Sequence, residues 1–440
     1  MKSKTLPKMK AIPEASLPLY NEEYVAQLQR FFGLELASKT ADNGSLPTEN
    51  REERDSSAAA AIADDLTSNS NQACRVHDKD RETTYFSLKQ RKAPEVEKCD
   101  GERDREEGPT DGVGPDPPDR YRVHSRFWYA IFSFGALLGD DTFYYFIFCF
   151  SVANLSWWVT RRLLMVWGFC MFIGQACKEI LRWPRPREPP VVQLESRYNK
   201  EYGMPSTHAV VGTLMPFTLL ISTWNHYEYP HLLGFVLACN WTLLVCCSRL
   251  YRGMHFILDL IAGVTLTALL MALIWPWLDS LDHFLLTHPY APVIIVVVTI
   301  LLIVFYPALD GVGASRNDTV SILATMGGGL CAFWCNHRSG LVPDAHAPLG
   351  GTIDWPDLPT AGIMLVRYAI YTVIASIIFF GLKFLIKRMM QVFFGIQVNR
   401  ETKRWLRVQL SYGYVPHGFT MLVMYSMGPR LCTWLGLDLN

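Results

Sequence analysis

Long apolar runs with almost no charge recur in this chain from Phe127 to near its end. A helix needs roughly 20 mostly apolar residues to cross a bilayer, and several of these runs reach that length. The sequence therefore predicts an all-α, polytopic membrane helical bundle. Hydropathy divides it into about nine spans, at 127–153, 162–181, 208–224, 231–250, 256–277, 291–307, 319–335, 361–386 and 413–436. Such a layout leaves no room for a separate soluble catalytic domain, so any chemistry falls to residues at helix ends and in the connecting loops. The segments 187–207, dense in Pro and charge, and 336–360, rich in Gly, Pro and Asp, are the two longest loop candidates.

Charge is distributed unevenly. It is packed into the first 120 or so residues, in runs at 51–55, 75–81 and 98–107 separated by Ala, Ser, Gly and Pro. Residues 1–124 are expected to form a mostly disordered tail, with 125–290 a transmembrane core and 291–440 additional C-terminal spans. One piece of the tail departs from this pattern. After Asn21, a fitting N-cap, Val25, Leu28, Phe31 and Phe32 recur at helical spacing up to Gly33, which predicts a short amphipathic helix that either lies on the membrane or docks on the core. No cleaved signal peptide is expected from the Lys-rich start, so the first span would serve as the targeting signal. The formal net charge is zero, which gives no global field for nucleic acid; an anion would have to be held by a local cluster. The eleven cysteines sit mostly inside apolar runs, without a Cys-x-x-Cys pair or zinc-type spacing, and read as small packing residues.

Three separated segments place polar groups at the edges of apolar runs, where desolvation is costly. The first runs from Lys178 to Pro186 at the exit of the second span, and Pro184 breaks its helix, so Lys178 and Arg185 can converge on a dianion. Lys and Arg in such places also serve as snorkelling anchors. The second is Pro205-Ser206-Thr207-His208, directly before the third span. A helix start offers unpaired N–H groups and a positive dipole end to a phosphate oxygen, Ser206 adds a hydroxyl, and His208 can exchange a proton near neutral pH. Read alone, Pro-Ser-Thr is equally an ordinary cap. The third contains Ser248-Arg249 and, after Gly253, His255 and Asp259. His255 and Asp259 lie four residues apart on one helical face, so the carboxylate can accept the Nδ1–H and leave Nε2 with its lone pair. All three segments fall on one side of the membrane.

In order and spacing these segments resemble the three signatures of the type-2 phosphatidic-acid phosphatase superfamily: Lys178…Arg185-Pro186, then Pro205-Ser206-Thr207-His208, then Ser248-Arg249…His255…Asp259. The wording around them, with Arg182-Trp183-Pro184 before the first Arg-Pro and Gly253-Met254-His255-Phe256-Ile257 in the third, is similar to the sphingosine-1-phosphate phosphatases of that superfamily. The resemblance is dense over 125–290. It implies a metal-independent lipid phosphate phosphatase of the endoplasmic reticulum membrane, with no cofactor and with a sphingoid base phosphate as substrate. His255 would be the nucleophile that forms a phosphohistidine, Asp259 its orienting partner and His208 the acid and base. Lys178, Arg185, Ser206 and Arg249 would hold the phosphoryl oxygens.

The family keeps its site in the lumen. Arg161 and Arg162, read as lying between the first two spans, favour a cytosolic placement there and hence luminal signature loops. Counting spans then puts the basic stretch 387–407 in the lumen, against the positive-inside rule. Either the first run, interrupted at Gly139-Asp140-Asp141, or the seventh, weakened by Gly327-Gly328-Gly329, is accordingly a candidate broken or re-entrant element. The acceptor sequence Asn43-Gly44-Ser45 would report a luminal tail if glycosylated. Other readings stay open at this level: a phosphotransferase, a phosphatase of another lipid phosphate or of glucose 6-phosphate, or a transporter with an anion site. Membrane lipids are the expected surroundings, and homo-oligomerisation is left open.

Overall fold

The computed structural model describes residues 19–36, 121–195, 201–307, 314–341, 356–399 and 401–437. Residues 37–120, which hold most of the expected tail and Asn43, lie outside the described residues. The regular structure of the described residues is helical apart from two three-residue strands. In chain order the elements are α1 (Glu22–Phe31), β1 (Leu34–Leu36), β2 (Tyr121–Val123), α2 (Arg126–Leu137), α3 (Asp141–Asn154), α4 (Trp157–Leu181), α5 (Thr207–Trp224), α6 (His231–Tyr251), α7 (Ile257–Thr287), α8 (Ala291–Val304), α9 (Ala314–Arg338), α10 (Leu358–Phe394) and α11 (Val415–Trp434), with short 3₁₀, α and π turns at 402–414 leading into α11.

Every expected span is found as helix. By length and apolarity five of them, α4, α6, α7, α9 and α10, suffice to cross a bilayer, and α2 with α3 make a sixth if that bent pair is one span. The others fall short for readable reasons. In α5, Thr207, His208, Thr213, Thr218 and Thr223 dilute the apolar content, and α8 has only 14 residues.

The first apolar run is broken where its Gly139-Asp140-Asp141 suggested. Asp140 caps α3 by accepting the Thr142 N–H at 2.9 Å, and the axis bends by 60° between the two halves. The Gly327-Gly328-Gly329 run, the other candidate, is not broken. It lies within an unbroken helix, α9, and provides a packing face: a Cβ on Gly328 would come within 2.0 Å of the Gly418 carbonyl oxygen of α11. Backbones that approach so closely gain dispersion contacts, the main attraction between helices in lipid. The seventh segment is therefore neither broken nor re-entrant, and the basic stretch 387–407 stays at the end of the bundle that α10 reaches last.

The two ends of the bundle are defined by contacts between successive helices. At one end Arg161 of α4 donates bidentately to Asp282 of α7, with Nε–Oδ1 2.7 Å and Nη2–Oδ2 2.9 Å, and Arg162 pairs with Asp279. Both arginines are buried within a helix that starts at Trp157 and each is paired with an aspartate of α7, so they are not the loop charges on which the sidedness expectation relied. At the other end lie the exit of α4, the entry of α5 and the α6–α7 turn. The core between them joins Leu163, Val166 and Cys170 of α4 with Leu214 of α5, Leu278 of α7, Phe333 of α9 and Tyr425 of α11. Helix α10 stands at the periphery, with Val373, Ile377, Phe380 and Phe384 exposed, the face a lipid-contacting helix should present. The described cysteines are all free thiols, buried or half-buried.

The amphipathic helix exists and docks on the core. Asn21 caps α1 by accepting the Glu23 N–H at 2.8 Å, and β1 pairs antiparallel with β2 just before α2 begins, Leu34 opposite Val123. Gln29, 1% exposed, donates to the carbonyls of Val192 and Tyr251 (both 2.8 Å) and accepts the Val192 N–H at 2.9 Å. Tyr20 packs on Trp183 and Phe256, with centroids at 5.0 and 3.9 Å, and donates to the Pro184 carbonyl at 2.7 Å. This N-terminal segment thus staples two of the loops that carry the signatures.

Candidate active site

Each signature residue owes its place to a local break in helix. Helix α4 ends at Leu181, and Arg182, at φ 57°, turns the chain out of the helix so that Arg185 reaches Met254 and His255. Ser206 caps α5 by accepting the Ala209 N–H at 3.3 Å, and its own N–H donates to the Asp259 carbonyl at 3.0 Å, which ties the second signature to the third. The α6–α7 turn needs Gly253. Its φ is +67°, and a Cβ there would meet the Val192 carbonyl oxygen at 2.1 Å.

These breaks gather the seven expected residues. Lys178 Nζ donates to Thr207 Oγ1 at 2.9 Å. Arg185 donates through Nη1 to the Met254 carbonyl at 2.9 Å and to His255 Nε2 at 3.1 Å. The His208 and His255 rings stand 6.2 Å apart between centroids, and Arg249 donates through Nη2 to the Ala136 carbonyl at 2.6 Å. That carbonyl, one of the last of α2, also accepts the Gly139 N–H at 3.1 Å where the helix breaks. The break itself approaches the site, since a Cβ on Gly139 would lie 3.5 Å from both Arg249 Nη2 and His208 Cδ2. Lys178, Ser206, His208, Arg249, His255 and Asp259 are all buried, the last two completely.

Geometry also fixes the state of His255. A guanidinium can only donate, so Nε2 accepts from Arg185 and carries the lone pair, which leaves the proton on Nδ1. Burial first, then the charges of Arg185, Lys178 and Arg249, hold its pKa well below the ordinary histidine value. The partnership with Asp259 is looser than the i, i+4 spacing suggested. Nδ1 lies 3.4 Å from Asp259 Oδ2, beyond the usual hydrogen-bond range, because that oxygen already accepts the Phe256 N–H at 2.9 Å and caps α7.

An imidazole whose lone pair is held by a phosphate-binding cation, a second imidazole beside it and three basic residues around a helix N-terminus make a phosphoryl-transfer site in outline. The PAP2 superfamily model matches residues 140–282, the stretch that contains all seven residues. Human sphingosine-1-phosphate phosphatase 2 is 38% identical over 324 residues, covering 72% of this chain and 80% of the relative. The chain belongs to the sphingosine-1-phosphate phosphatase family. The rat sphingosine-1-phosphate phosphatase 1 is 35% identical over 70% of this chain and 73% of its own, and a dihydrosphingosine 1-phosphate phosphatase of Saccharomyces cerevisiae is 24% identical over 70% and 80%. No solved structure matches the chain.

Several residues of this phosphatase site escaped the reading of the sequence. Glu201 Oε2 lies 3.6 Å from Lys178 Nζ and 3.7 Å from Arg185 Nη2, and Glu195 Oε2 lies 3.7 Å from Arg249 Nη1 while its other oxygen pairs with Arg252. Both glutamates belong to the charged loop 187–207, where nothing in the local pattern separates a site residue from a solvated one. Gln29 and Tyr20 lie more than 150 positions from their partners, a distance no local spacing can signal.

Proposed function

We propose that this protein is a phosphoric monoester hydrolase that cleaves sphingoid base phosphates to the free base and phosphate by way of a phosphohistidine. The observation that carries the reading is the Arg185–His255 contact inside a cluster of cations: a buried nucleophile presented with its lone pair toward the place where a phosphate would sit. The substrate class rests on the family.

In this reading the phosphate draws the guanidinium of Arg185, the ammonium of Lys178 and Arg249 onto its oxygens, and so uncovers Nε2 of His255. Nε2 attacks phosphorus, and the bond from phosphorus to the lipid oxygen breaks. His208, protonated, gives its proton to the departing alkoxide. Asp259, one helical turn from His255, offsets the positive charge that its ring then carries. Water attacks the phosphohistidine next and surrenders a proton to His208, which restores both imidazoles and frees phosphate. The Ser206 hydroxyl and the first N–H groups of α5 complete the set of donors to phosphoryl oxygens. The family resemblance supports a reaction at the endoplasmic reticulum membrane with the site in the lumen; glycosylation of acceptor sequences introduced next to α1 tests that side.

The deciding experiment measures phosphate release from sphingosine 1-phosphate, with phosphatidic acid and glucose 6-phosphate as competitors, in the presence of a chelator. Rapid quenching should trap protein-bound phosphate that is labile to acid and stable to base. Wild type should release phosphate and form this adduct, and His255→Ala should do neither. Full turnover by His255→Ala would refute the assignment.

A further inference from the structure

The carboxylate of Glu201 is an unexpected guest among groups that must bind a dianion. It is largely buried, 12% exposed, and lies between Lys178 and Arg185, two of the cations expected to hold the phosphate. It is held loosely there. Neither contact, at 3.6 and 3.7 Å, is short enough for a hydrogen bond, whereas its backbone carbonyl is fixed by Arg185 Nε at 3.1 Å. Glu195 differs, because a close pair with Arg252 engages one of its oxygens. A carboxylate in the position of Glu201 competes with phosphate for the same two cations and repels it once it is bound. Retaining it weakens binding of a simple phosphate ester.

The balance changes if the ligand brings a positive charge of its own. Resting on the function proposed above, a sphingoid base phosphate does: it carries an ammonium on the carbon next to the one that bears the ester. We propose that Glu201 is the ammonium subsite of this phosphatase. When substrate enters, its phosphate takes Lys178 and Arg185 from the carboxylate, and Glu201 turns to the ammonium beside the same phosphate. Charge-assisted pairing then replaces repulsion. Glu201 thus selects amine-bearing phosphates by penalising those without an amine, as specificity through an unfavourable alternative requires. It does not touch the reacting atoms, so its effect falls on selection and not on the chemical step.

The test compares kcat/KM for sphinganine 1-phosphate with that for a single-chain alkyl phosphate of equal length lacking the amine, in wild type, Glu201→Gln and Glu195→Gln. Wild type should prefer the amine-bearing substrate, and Glu201→Gln should cut that preference about tenfold, partly by speeding cleavage of the amine-free ester. Glu195→Gln should keep the preference. If Glu201→Gln improves or impairs both substrates equally, Glu201 merely neutralises the empty cradle and the ammonium subsite is refuted, while the proposed function stands. If wild type releases phosphate from the alkyl ester and not from sphinganine 1-phosphate, the proposed substrate class fails and the subsite with it.

Discussion

Arg185 donates to the Nε2 atom of His255 across 3.1 Å, so the nucleophile of the proposed reaction rests with its lone pair covered by a group that must also bind the substrate. Phosphate binding and exposure of the nucleophile are then one event. The same contact, with burial and the neighbouring cations, keeps the ring neutral in mild acid. His255 should therefore be competent well below pH 6.5, its ordinary titration point. The substrate's own second ionisation near pH 6 limits the profile first. Once kcat/KM is divided by the fraction of substrate dianion, it should not fall as pH drops from 7 to 6, and it rises over that window as far as His208, the proton donor, gains its proton. Arg185→Gln removes the largest charged contributor to the lowered pKa, so its residual activity should show an acid limb at higher pH. A wild-type limb near 6.5 after that correction would contradict the assignment.

Gln29 makes three hydrogen bonds that hold the chain at Val192 to the α6–α7 turn at Tyr251. Gln29→Leu keeps the bulk and leaves those buried backbone groups without partners, at about 1–3 kcal/mol for each unsatisfied group. We expect a lower melting temperature in detergent and a fall in kcat/KM. Phosphate should protect the variant less against proteolysis between 19 and 36 than it protects wild type. Unchanged activity and protection would show that the segment docks without serving the site.

At the far end of the bundle the Arg161–Asp282 pair is fully buried. Asp282→Asn strands a guanidinium and should destabilise by roughly 3–5 kcal/mol, whereas the double change Arg161→Met with Asp282→Leu should recover much of it. Thermal unfolding in detergent measures both. Phosphohistidine formation by the folded double variant should remain, since the pair lies at the end away from the site.

Gly328 has no room for a methyl group against the backbone of Gly418, while Gly362 has open space around it. Gly328→Ala should separate α9 from α11 and lower yield and melting temperature sharply. Gly362→Ala should be neutral or slightly stabilising, as expected for an exposed helix position. Size-exclusion profiles and thermal scans of the pair separate packing from simple helix propensity.

Much of this was legible beforehand, for physical reasons. Apolar runs had to be helical in lipid, and Lys178, Arg185, His208, Arg249, His255 and Asp259 stood out because charge at the edge of such runs is costly. The Asp259 carboxylate shows the limit of spacing arguments. Four residues bring it to the correct face, but the helix N-terminus it caps competes for the same oxygen and holds it 3.4 Å from His255. Arg161 and Arg162 were read as loop charges because hydropathy cannot distinguish a loop arginine from one paired inside a helix bundle. Gly327-Gly328-Gly329 failed as a helix breaker because a glycine's conformational cost is outweighed where a neighbouring backbone needs the space. The glutamates needed a folded loop before they could be seen.

The pairing of β1 with β2 fixes where the intervening chain leaves and returns. Leu36 sits opposite Tyr121, so the 84 residues from 37 to 120 begin and end at adjacent points on the site-bearing end of the bundle. The ladder holds Leu36 beside Tyr121 whatever the length of chain that joins them, because the entropy of bringing two chain ends together grows only with the logarithm of the separation. The stapled N-terminus and the first membrane helix would still meet as the two sides of a hairpin.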